Sequence, residues 1–155
     1  MEYIFFYLSI IAILIIFFIC NAIRRMTLPS FIIGLTSVGY SLISDLLFGD
    51  QLKLFYYIGE KISILYMMLS ALFIYSILNI IYTMFLPRNE KKVLIYTVCW
   101  IVALCIFEYA SIITKTIVFT GWKPIPWSLV TYIAAYLWIY FFYRLLSKRY
   151  LQNWC

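Results

Sequence analysis

Long apolar runs, broken by short polar or proline-containing stretches, set the pattern of this chain. A helix needs about 20 consecutive apolar residues to cross a bilayer, and five segments have that length. The first runs from Tyr3 to Ile23 and stops at Arg24-Arg25. The second covers about Pro29 to Phe48, with Thr27 placed to cap its first turn and Gly49-Asp50 expected to end it. The third lies within Ile62 to Leu86, before Pro87. The fourth runs from Val93 to about Thr114, and the fifth from about Trp127 to Leu146, entered through Pro124 and Pro126. The pattern predicts an all-α integral membrane bundle of five transmembrane helices, formed as one domain over residues 1–155.

Basic residues orient the threading. Arg24, Arg25, Arg88, Lys91, Lys92, Arg144, Lys148 and Arg149 fall on one side, eight of the twelve lysines and arginines. Lys53, Lys61, Lys115 and Lys123 fall on the other. Positive residues prefer the cytoplasm, so the expected topology is N-terminus outside and C-terminus inside, in a multi-pass protein of the cell membrane. The opening residues lack the basic start and small-residue cleavage pattern of a signal peptide, so the first segment reads as a retained helix.

Two segments on the outer side are more than plain loops. Leu52 to Ile58 is apolar and aromatic but too short to span, and Gly59 closes it. Thr116 to Trp127 carries Gly121, two prolines and two tryptophans. Anchoring in the membrane interface is the favoured reading of both. A cap over an outer cavity is the alternative.

Composition narrows the function classes. Residues are 66% hydrophobic and 12% charged, against about 45–50% and about 25% in soluble domains. The net charge of +6 sits at the ends of apolar segments. It therefore serves topology and lipid headgroups, and nucleic acid is not a partner. The chain has no histidine, which removes histidine-ligated haem, the usual zinc sites and histidine acid–base pairs. Cys20, Cys99, Cys105 and Cys155 lack metal-ligand spacing, so no metal or other cofactor is expected.

Two carboxylates inside apolar spans carry the candidate chemistry. Asp45 lies in SLISDLLFG and Glu108 in ALCIFEYAS. A charged side chain at the bilayer centre costs about 2.5–3.5 kcal/mol on insertion scales, so such groups face a bundle interior, a cavity or a cation. At 100° per residue, Gly34, Ser37, Ser41, Ser44 and Asp45 share a third of the second helix. Such small-residue stripes face other helices in lipid. Thr97, Leu104, Glu108, Ser111 and Lys115 share a face of the fourth. Ser128, Thr131 and Ala135 form the small face of the fifth, and Ser76, Asn79 and Thr83 lie together on the third. Both acids fall in the outer half, at the level of Glu60, Lys61, Lys115 and Trp122. These six residues form the candidate site. Pairing of the acids with Lys61 or Lys115, locking helices together, is the favoured reading. A ligand, ion or proton site comes next, then lipid-headgroup contact.

The stretch Glu108-Tyr109-Ala110-Ser111, Thr114-Lys115 and Phe119-Thr120-Gly121-Trp122-Lys123, followed by an aromatic last helix, resembles a group of small membrane proteins common in spore-forming Gram-positive bacteria. The likeness covers roughly residues 93–150. It implies a multi-span inner-membrane protein and brings no assigned activity with it. Glu108 and Gly121-Trp122 are its signature positions.

Three functions fit. The leading one is a binding, accessory or structural membrane subunit, with the lipid bilayer, a membrane-protein partner or further copies of itself as partners. The second is a small oligomeric carrier or ion- or proton-conducting protein. The third is a membrane-embedded enzyme acting on a lipid or isoprenoid, with a carboxyl as general acid. No nucleotide loop, nucleophile–base pair or metal set supports an enzyme.

Overall fold

The computed structural model describes residues 2–58 and 63–152; Glu60, Lys61 and Cys155 lie outside the described residues. Five helices are each long and apolar enough to cross a membrane. They are α1 (Glu2–Ile23), α2 (Leu28–Gln51), α3 (Ser63–Met84), α4 (Glu90–Ile113) and α5 (Leu129–Gln152), the last entered through a turn at Pro124–Ser128. Half of the α3 window is buried, against 11–22% for the others, so α3 is the centre around which the rest pack.

Local chemistry sets the ends. Thr27 has extended φ/ψ, and its side chain accepts the Ser30 N–H, capping α2 ahead of Pro29 as expected. Asn89 caps α4 by accepting the Lys91 N–H at 3.0 Å, so the polar residues Glu90 to Lys92 form a first turn before the apolar run. The end of α2 is a correction. Gly49 does not stop the helix, which continues as a π-turn over Leu46–Gln51. Gly49 instead sits inside that turn at a close approach, where a Cβ would fall 2.5 Å from Met67 Cε and 3.1 Å from the Phe55 ring. Gly34 does the same higher on α2, where a Cβ would stand 2.5 Å from Ile80 of α3. These approaches bring the small face of α2 against α3, and Gly34, Ser37, Ser41 and Asp45 are all buried.

The two segments between helices at one end of the bundle pair with each other. Phe55–Tyr57 (β1) and Ile117–Phe119 (β2) form a two-stranded antiparallel ribbon with Tyr56 opposite Val118. The second residue after each preceding helix, Lys53 and Lys115, takes a left-handed conformation (φ 52° and 57°) that turns the chain into the ribbon. After α4, the Lys115 N–H bonds the Ile112 carbonyl and the Thr116 N–H bonds the Ser111 carbonyl, a Schellman cap with lysine where glycine is usual. The N–H groups of Thr120, Gly121 and Trp122 then all converge on the Leu54 carbonyl at 2.9–3.1 Å. The ribbon is thereby tied to the loop that carries Trp122.

At the opposite end the core is aromatic. Tyr82, fully buried, meets Tyr136 edge-on at 4.7 Å and stacks on Tyr96 at 5.3 Å, among Ile33, Leu86, Val93 and Ile101. Arg144 reaches Glu90 at 3.8 Å there, the one ion pair among the described residues.

Candidate functional site

Between this aromatic core and the ribbon lies a cavity of about 170 Å³. Helices α2 to α5 wall it, and Phe55, Tyr57, Ile117, Phe119 and Trp122 close its ribbon end. The apolar segments between helices therefore close one end of the cavity, as the cap reading expected. Asp45 and Glu108 stand in the wall of this one cavity, each 8% exposed.

Departures from regular α-helix place the key side chains. Asp45 is the last α-helical residue before the π-turn of α2. Tyr75 closes a second π-turn, Ser70–Tyr75, inside α3. Ser128 closes the turn at Pro124–Ser128, where Ile125 leaves helical φ/ψ. Such wide turns shift the helical register by a residue and recur at functional sites. Here all three border the same cavity.

Glu108 is held by α5 and by the loop before it. The Ser128 hydroxyl donates to Glu108 Oε1 at 2.6 Å, and the Tyr132 hydroxyl donates to Oε2 at 2.7 Å. Ser128 Oγ in turn accepts the Trp122 indole N–H at 2.9 Å. Trp122, Ser128 and Glu108 thus belong to one hydrogen-bonded chain. Asp45 is held more loosely. Tyr57 of the ribbon donates to Oδ2 at 3.4 Å and lies 3.4 Å from the Tyr75 hydroxyl. No described side chain donates to the other carboxylate oxygen of Asp45. Burial, reinforced by the charge of Asp45, pushes the Tyr57 hydroxyl well above its ordinary range, so it stays a protonated donor.

Lys115 takes no part in this. It is exposed at the end of α4 and borders a separate shallow depression with Glu2, Tyr56 and Val118. The expected pairing of an acid with Lys115 is therefore corrected. Its left-handed backbone turns the chain from α4 into β2, and it forms no ion pair among the described residues. Of the six residues singled out, the cavity brings together Asp45, Glu108 and Trp122, leaves Lys115 outside, and Glu60 and Lys61 fall outside the described residues.

A second chain of hydrogen bonds forms the far wall. Trp100 Nε1 donates to the Tyr136 hydroxyl at 2.8 Å, Tyr136 donates to Asn79 Oδ1 at 2.8 Å, and Asn79 Nδ2 donates to Ser37 Oγ at 3.0 Å. These bonds join α4, α5, α3 and α2. Polar atoms that would be costly to bury alone are thereby satisfied, and they hold the helices apart at a fixed spacing. The tyrosines were not foreseen from the sequence. Ser128, just before α5, and Tyr132 on it stand four residues apart, in register with Ala135 and Tyr136, and that spacing was the available signal.

Among the described residues no group of histidine, cysteine, aspartate and glutamate is arranged to hold a metal ion. No family model matches this chain, nor does any curated protein or solved structure.

Proposed function

We propose that the chain is a multi-pass membrane protein, N-terminus outside and C-terminus inside, whose work is to bind a small ligand in the cavity capped by the ribbon. Five apolar helices support membrane insertion, and eight of twelve basic residues at the end away from the ribbon support the orientation. One observation carries the binding reading: two buried carboxylates share a preformed cavity, and hydroxyl groups, not Lys115, reach them among the described residues. A salt bridge locking helices would need no cavity. Ligand sites are concave, mostly apolar and furnished with a few convergent polar groups, as this cavity is.

A carrier is the second reading, and the same site serves it. The cavity ends against Tyr136 and Ile139, which pack with Tyr82 in the aromatic core, the picture expected of a site sealed towards one side. Binding and carriage separate by flux: a carrier moves its ligand across vesicles, and a binding subunit only retains it.

Native mass spectrometry of the protein extracted gently from its own membrane tests the binding reading. The expected spectrum shows a discrete small molecule on the chain that is lost on Glu108→Gln while the variant remains folded by circular dichroism. A wild-type spectrum with bare protein, or with a stoichiometric partner chain and an empty cavity, would refute it.

A further inference from the structure

We propose that the ligand is an organic cation, an ammonium group carrying one ring-sized apolar substituent. This rests on the reading of the cavity as a ligand site and goes further by naming the chemistry it takes.

Charge is the first ground. Among the described residues the cavity lining holds two carboxylates and no lysine or arginine. Tyr132 and Ser128 satisfy both oxygens of Glu108 with short bonds, whereas among the described residues Asp45 accepts one long bond on one oxygen. Asp45 is more than nine-tenths buried and faces the cavity with acceptor capacity to spare. An ammonium donating to Asp45 supplies the missing partner. It also offsets the charge of Glu108 without disturbing that residue's hydroxyl donors.

The walls are the second ground. Eleven of the lining side chains are aromatic, and ring faces attract a desolvated organic cation. A hard metal ion instead needs a shell of about six to eight oxygens, which an aromatic lining does not supply. Tyr40 of α2 and Trp138 of α5 stack at 6.1 Å and 12°. They are 50% and 44% exposed and are the two lining residues classed as exposed. Two stacked rings therefore stand at the side of the cavity between α2 and α5.

Size is the third. About 170 Å³ is close to the roughly 150 Å³ apolar cavity that accommodates benzene. One ring and its ammonium group therefore fill the space, and larger cations would have to part the Tyr40–Trp138 pair.

Isothermal titration in lipid nanodiscs tests this with two probes of nearly the same shape, benzylammonium, which carries N–H donors, and its uncharged isostere ethylbenzene. The expected result is that the cation binds about tenfold more tightly than the isostere, and that Asp45→Asn removes most of this preference. The wild-type preference is decisive by itself should that variant fail to fold. Equal binding of the two probes would overturn the cation proposal and leave the ligand cavity standing. Binding of neither probe, beyond partition into empty nanodiscs, would overturn both.

Discussion

Replacing Ser128 by alanine strikes the point where the Trp122 loop, α4 and α5 meet. The change removes one hydroxyl but two hydrogen bonds, the 2.6 Å donation to Glu108 and the 2.9 Å acceptance from Trp122. A bond to a charged group contributes about 1.5–3 kcal/mol and a neutral one about 0.5–1.5 kcal/mol. Measured inter-helix bonds in lipid are weaker, averaging about 0.6 kcal/mol, so the lower half of the summed range applies. Ser128→Ala is expected to destabilise by about 2–3 kcal/mol, read as unfolding free energy by denaturant titration in mixed micelles. Tyr132→Phe removes a single donor to the same carboxylate and costs less. Half of the argument is energetic coupling, so a double-mutant cycle with Glu108→Gln is the sharper assay. The two changes should be non-additive by about 1 kcal/mol. A loss below about 0.5 kcal/mol, or an undiminished loss in the Glu108→Gln background, would refute the claim that Ser128 holds the carboxylate.

Two further substitutions probe the frame. Gly34→Ala drives a methyl into Ile80 of α3 and should cost about 1–3 kcal/mol. Ile80→Ala should recover part of that loss, and a neutral Gly34→Ala would mean that α2 and α3 are not held this closely. Lys115→Gly relieves a left-handed lysine, a conformation that costs an ordinary residue about 1–2 kcal/mol. It should raise stability and leave cation binding unchanged, whereas lost binding would return Lys115 to the site.

The helices were legible because apolar runs long enough to span announce themselves, and the Thr27 cap and the small face of α2 followed from residue type and the 100° spacing. Asp45 and Glu108 were legible as misfits in an apolar setting. Their partners were not. A lysine at the right depth looked like the natural counter-charge, but depth along a helix says nothing about which way the chain leaves it. The left-handed turn at Lys115 sends α4 into the ribbon and leaves that side chain exposed, outside the cavity wall. The donors came instead from tyrosines, which in a chain this rich in aromatics read as bulk. The ribbon was hidden for a related reason. Its strands are three residues long and 62 positions apart (Phe55 and Ile117), so no local periodicity marks them, and their pairing follows only from the helices that bring their ends together.

The most direct test of the account is a cryo-electron-microscopy map of the protein in nanodiscs made from its own lipids, read at the oxygen of Asp45 that no described residue reaches. The account predicts non-protein density in the cavity within hydrogen-bond distance of Asp45, with Ser128 and Tyr132 still on Glu108. A lysine ammonium seated on either carboxylate, with the cavity collapsed around it, would contradict it.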